Sequence, residues 1–260
     1  MLLTILLLVL CIFFTQIFIG LKLRARFQDT DRRFEKIDFS FLKNSTEIKK
    51  LKETSSEIQN TLCLSPINFE YPVFFGGWSI DSYLGKFLTQ HLLEQRPQVI
   101  VELGSGSSSL LIAKCTQKLG YTPEHIVIDH EKRYLELTRL LAKQNGVDSG
   151  IEFNECPLGK IDHHDGPWYQ GVQNVVGDRK IDLLIIDGPP ESTHQLARYP
   201  ALPVLHEHLS QNCVVILDDA NRNDEKAIIK KWMEQFREFE LTLIPEGHGL
   251  AILNRQSNQA

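Results

Sequence analysis

From Val99 to Ala113 the chain reads as an apolar run that ends in an acid, Glu102, turns on Gly104 and Gly106, and enters a helix through Ser107, Ser108 and Ser109. The glycines let the backbone pass close to a ligand, no bulky residue stands at the bend, and the first N–H groups of the helix are left free to meet an anionic group. A strand-turn-helix of this kind marks a nucleotide site at the carboxyl end of a strand, and an adenosine-like ligand suits it.

The same alternation of short β-branched runs and amphipathic stretches continues through residues 65–255 and predicts an α/β sheet with helices on both faces. Strands are expected at Gln98–Leu103, His125–Asp129, Gly150–Asn154, Ile181–Asp187, Asn212–Asp218, Phe239–Ile244 and Gly249–Leu253. Helices are expected at Ile80–Glu94, Ser108–Leu119, Lys132–Gln144, Thr193–Leu209 and Asp224–Phe236, the last capped by Asn223 or Asp224. Only Pro245 to His248 join the last two strands, too few residues for a crossover between parallel neighbours, so these strands form an antiparallel hairpin.

Ahead of this body, residues 1–21 are almost wholly apolar and uncharged, long enough to cross a hydrocarbon core as an uncleaved transmembrane anchor. Lys22, Arg24, Arg26, Arg32 and Arg33 follow the span and none precedes it, which places the body on the cytoplasmic side of a membrane. Residues 22–64 read as a polar stalk, with Leu42, Ile48, Leu51 and Ile58 as one weak helical stripe, and residues 256–260 as a tail. Five cysteines without metal-ligand spacing exclude a disulfide framework or zinc site as the organising element. A net charge of -5 with no basic, aromatic-rich patch argues against nucleic acid as a partner.

The chain resembles the class I S-adenosylmethionine-dependent methyltransferases. The resemblance rests on the acid and two glycines of the first motif (Glu102, Gly104, Gly106), an acid closing the second strand (Asp129), the Asp187-Gly188-Pro189-Pro190 turn and the terminal hairpin. Strings at Arg198–Pro203 and Leu217–Arg222 are similar to bacterial members of uncertain substrate. The resemblance implies a doubly wound, Rossmann-like, seven-stranded sheet ending in an antiparallel hairpin, with S-adenosyl-L-methionine as cofactor.

It also implies roles for individual residues. Gly104 and Gly106 admit the methionine part of the cofactor, Ser107 or Ser108 donates to its carboxylate, and Glu102 steadies the turn or reaches the ammonium group. Asp129, with His130 beside it, accepts the ribose hydroxyls, with Glu131 as a rival, and Pro157 and Leu158 form a wall against adenine. Asp187 and Asp219 serve the transfer. Together with Asp218 they are similar to the oxygen-only magnesium site of catechol O-methyltransferase-type enzymes, although an Asp-Asp pair stands where those have Asp-Asn. Arg198 and Arg222 either receive an anionic acceptor or pair internally with these acids. The expected reaction is O-methylation of a small-molecule, sugar or lipid-linked acceptor. The competing readings are a nicotinamide-dependent oxidoreductase, which would want a third glycine where Ser109 stands, and a non-catalytic, membrane-tethered scaffold that binds a nucleoside.

Overall fold

The computed structural model describes residues 22, 24, 28, 32, 36, 43–44, 47–76, 79–162 and 164–256. They belong to two units, residues 1–54 and 55–260. The described residues of the first unit are all helical. The segment read as an anchor, residues 1–21, lies outside the described residues, as do Leu42, Trp78 and His163. Among the described residues no helix is long and apolar enough to cross a membrane.

In the second unit, helical residues 55–64 are followed by α1 (Ser82–Gln95), β1 (Val99–Leu103), α2 (Ser107–Leu119), β2 (Glu124–Asp129), α3 (Lys132–Gln144) and β3 (Glu152–Glu155). Next come β4 (Leu158–Lys160), β5 (Pro167–Tyr169), α4 (Val172–Val176), β6 (Ile181–Ile186), α5 (Ala201–Leu205), β7 (Leu209–Asp218), α6 (Asn223–Gln235), β8 (Phe239–Ile244) and β9 (Leu250–Arg255). The main sheet has seven strands in the order β3-β2-β1-β6-β7-β9-β8. Its first five strands run parallel, and β9 is antiparallel to both β7 and β8. The expected sheet and terminal hairpin are therefore present.

Period-two alternation distributes the apolar residues to both faces. Val101, Leu103, Leu184 and Ile186 join Leu202, Leu205 and Trp232 in one buried cluster, while Ile100, Leu183, Ile185 and Ile216 join Leu84, Leu88 and Leu111 in another. Helices on both faces leave the central strands no solvated side, which is why they read as nearly continuous apolar runs. Each fully buried leucine contributes about 2 kcal/mol, and a cut such as Leu184→Ala would cost about 2–5 kcal/mol.

Caps fix where α1 and α2 begin and end. Asp81 caps α1 by accepting from the N–H groups of Tyr83 and Leu84 at 3.0 and 2.9 Å. Gly120 ends α2 in the left-handed region at φ 69°.

Several expectations need correction. The helix expected over Thr193–Leu209 is broken into a 3-10 turn at Glu191–Thr193, the five-residue α5 and a second 3-10 turn at His206–His208. Pro200 disfavours helical geometry at Tyr199 and lacks an N–H to continue a helix from upstream, so a helix can start only there. Neither Asn223 nor Asp224 caps α6. Arg222 holds the N-cap position, and Asp224 instead accepts from Leu196 N at 2.9 Å. The long connection after β3 contains the β4–β5 hairpin and the short α4, none of them foreseen.

Candidate active site

Strand order reverses between β1 and β6, and a crevice is expected outside the carboxyl ends of the strands at such a point. Here it is a cleft of about 450 Å³ whose wall runs from Gly104 and Ser105 past Asp129 and His130 to Asp187, Asp219 and His248.

The glycine turn is built for close approach. Gly104 has φ 107°, its N–H donates to Ile128 O at 2.8 Å, and an added Cβ would come within 3.2 Å of Gly188 N. A side chain there would be strained and would push apart the two strand ends that make the cleft. Around Gly106 a Cβ would meet nothing within 4 Å, so this backbone faces open space. Ser107 and Ser108 follow as the first, buried residues of α2, and the Ser107 hydroxyl has no partner. Free amides at a helix start and an unsatisfied hydroxyl suit an anionic group such as an amino-acid carboxylate.

Asp129 ends β2 opposite this turn. Its Oδ2 accepts from both N and Oγ of Ser105, at 2.9 and 2.6 Å, and its Oδ1 accepts from Glu131 N at 2.9 Å. Burial works against its charge, but the contacts with His130, Ser105 and Glu131 N prevail and hold the carboxyl below the usual carboxylate range. To accept both ribose hydroxyls it must therefore share or exchange a Ser105 bond. Glu131, the rival, also lines the cleft and has a half-exposed side chain.

Of the expected cofactor contacts, Gly104, Asp129 and His130 line the cleft, whereas Glu102, Gly106, Ser107, Ser108, Pro157 and Leu158 do not. Glu102 is fully buried, its Oε2 lies 2.7 Å from His125 Nε2, and its Oε1 has no partner. Strand alternation sends Glu102 to the same face as Ile100. The carbonyl of Pro157 accepts from Gln170 N, and Leu158 begins β4 and packs against the core. Cys156 is a buried core residue whose thiol is pushed up by burial.

At the far end of the cleft Asp187, Asp218 and Asp219 come together, as expected. The structure also brings two arginines onto them. Arg198 Nη2 lies 3.2 Å from Asp187 Oδ1 and 3.0 Å from Asp219 Oδ2, and Arg222 Nη1 lies 3.0 Å from the same Asp219 oxygen. Arg198 is 3% exposed and also donates to the carbonyls of Asp187 and Asp218. Burial, reinforced by Asp219 against the opposing pull of Arg198, raises Asp187 to about 6. Burial and the charges of Asp187 and Asp219 raise Asp218 well above its usual value.

Two fixed guanidinium charges thus face Asp187 and Asp219, with Asp218 driven toward its neutral form. At the site of the magnesium expectation, Asp187 and Asp219 are each paired with guanidinium through one oxygen, while Asp187, Asp218 and Asp219 still offer oxygen atoms within 4.8 Å of one another.

Tyr169 and His248 also stand on the wall. Tyr169 is a buried strand residue whose hydroxyl has no partner. Burial holds its pKa well above that of a free phenol, so it remains a donor beside Asp129 and Asp187. His248 comes from the β8–β9 turn, whose position over the cleft depends on contacts distant in sequence.

A family model described as a methyltransferase domain matches residues 101–220. No curated protein sequence matches the chain. Among solved structures, a methyltransferase from Geobacter sulfurreducens is 21% identical, with a TM-score of 0.52 over 68% of this chain and 80% of that one. The SAH-bound methyltransferase PaMTH1 from Podospora anserina is 14% identical, with a TM-score of 0.54 over 69% and 80%. An O-methyltransferase from Bacillus cereus in complex with SAH is 12% identical, with a TM-score of 0.53 over 78% and 91%. At these identities the likeness shows a shared fold.

Fold and cleft are those of a Rossmann-like α/β domain. Residues 101–220, which hold the glycine turn, Asp129 and the three clustered aspartates, match a methyltransferase domain.

Proposed function

We propose that the enzyme methylates an oxygen of a small-molecule, sugar or lipid-linked acceptor. The observation that carries this reading is the pairing of Ser105 with Asp129 at the point where strand order reverses, which joins the glycine turn to the acid of β2 in one rigid cradle. Gly104, Gly106 and the start of α2 hold the amino-acid end of the cofactor, and Asp129 with His130 takes the sugar. When bound, S-adenosylmethionine supplies a methyl group activated by a sulfonium charge. The protein's part is then to align the acceptor and remove its proton.

The acceptor lies at the end formed by Asp187, Asp219, Arg222 and His248. Transfer to oxygen is supported by structural relatives described as O-methyltransferases, such as the Bacillus cereus protein. The ion pairs of Arg198 with Asp187 and Asp219 support a reaction in which this arginine, rather than magnesium, balances the acids. The apolar residues 1–21 and the basic residues behind them support a cytoplasmic-face location and, with it, a lipid-linked acceptor.

Mass spectrometry of small molecules retained by the purified full chain tests this reading. S-adenosylmethionine or its demethylated product is expected. A retained nicotinamide nucleotide, or a protein that added S-adenosylmethionine fails to saturate, would overturn it.

A further inference from the structure

We propose that His248 is the catalytic residue that takes the proton from the acceptor hydroxyl, an inference that rests on the O-methyl reading above. His248 stands in the turn between β8 and β9, and its backbone is held from two sides. Its N–H donates to Asp81 Oδ2 at 2.8 Å, and its carbonyl accepts from Asn221 N at 3.2 Å. Gly247 and Gly249 flank it at φ 63° and 84°, and a Cβ on Gly249 would come within 2.6 Å of Asn221 N. The turn is thereby pressed against the end of β7, and the imidazole, one third exposed, forms part of the cleft wall.

Its Nδ1 lies 3.9 Å from Asp219 Oδ1. Arg198 and Arg222 both contact the other oxygen of Asp219, so Oδ1 is the one left for the imidazole. A carboxylate placed behind one ring nitrogen orients the ring, leaves the second nitrogen for the substrate and stabilises the imidazolium that forms. Contacts of this kind are often long before the reactants bind. The other groups at this end are held by partners or burial: Asp187 and Asp219 are engaged by Arg198, Asp218 is buried, and the arginines stay charged. His130, the cleft's other imidazole among the described residues, sits at the opposite end with Asp129 and Glu131.

The step balances without a further reagent. As the acceptor O–H bond breaks, its proton passes to Nε2 of His248 and its electron pair forms the new O–CH3 bond. The S–CH3 bond breaks with its pair left on sulfur, giving the neutral thioether, and the imidazolium later releases its proton to solvent.

Two measurements on the full chain test the assignment. In 15N NMR of histidine-labelled protein without cofactor, neutral His248 is expected as the Nδ1–H tautomer, and Asp219→Asn is expected to shift it toward a mixture. Turnover is read as S-adenosylhomocysteine release with 3,4-dihydroxybenzoate and a panel of simple alcohols. His248→Ala is expected to lower it by about 100-fold or more while calorimetric affinity for S-adenosylmethionine stays within about threefold, with partial rescue by added imidazole. Turnover unchanged in His248→Ala, or an Nε2–H tautomer unaffected by Asp219→Asn, would overturn the proposal. A wild-type enzyme that binds S-adenosylmethionine but accepts only amines or thiols would instead remove the O-methyl reading and, with it, the role of His248.

Discussion

Ser105 donates twice to Asp129, from its backbone N–H at 2.9 Å and its hydroxyl at 2.6 Å, both to Oδ2. A hydroxyl-to-carboxylate bond in a partly buried site contributes about 1.5–3 kcal/mol. Ser105→Ala should therefore lose about that much stability in urea unfolding at pH 7. Because the Asp129 carboxyl is held below its ordinary value, this contribution is present above the unfolded-state pKa and disappears as pH falls through the folded one. The difference between variant and wild type should narrow below about pH 4. An equal gap at neutral and strongly acidic pH would show that the bond does not act through the carboxylate.

Asp129 and Glu131 are separable by binding. Calorimetry with S-adenosylmethionine should show Asp129→Asn weakened by about tenfold or more, as expected for losing hydrogen bonds to a charged acceptor, and Glu131→Gln by less than about threefold. The reverse order would assign the sugar to Glu131.

Arg198 in the role of counter-cation makes two demands. Chelation with EDTA should leave turnover unchanged, and magnesium should not raise the melting temperature. Arg198→Met should destabilise the protein by about 3–5 kcal/mol in chemical denaturation, since it leaves buried acids without their partner. Activity lost on chelation and restored by magnesium would return Asp187, Asp218 and Asp219 to the role of metal ligands.

How far the sequence reaches depends on whether a feature is local. The parallel core was legible because apolar runs such as Ile126–Ile128 and Leu183–Ile186 are buried on both faces, and the terminal hairpin because Pro245 to His248 allow no crossover. The break in Thr193–Leu209 was written in Pro200 and Pro203, but helical spacing of its apolar residues concealed it. Alternation along β1 already placed Glu102 with Ile100, and a motif-based role obscured that. The β4–β5 hairpin was not legible, since its three-residue strands pair only with each other. The position of His248 was not legible either, because it depends on Asp81, 167 residues away.

The raised pKa of Asp187 gives a pH dependence of opposite sign to that of Asp129. Between about pH 4 and pH 6 the folded protein keeps a proton that the unfolded chain has lost, so this group's contribution to stability falls as pH rises and is gone above about 6. Asp187→Asn should therefore gain stability relative to wild type between pH 4.5 and pH 8 in thermal unfolding. A constant difference across that range would mean that Asp187 titrates as an ordinary carboxylate.

Isothermal titration of the full chain with S-adenosylmethionine and, separately, with NAD tests most directly whether the Gly104–Ser105 turn and Asp129 form a sulfonium-donor cradle. The account predicts one saturable site for S-adenosylmethionine, weakened by Asp129→Asn, and no heat from NAD. Saturable binding of NAD with no response to S-adenosylmethionine would contradict it.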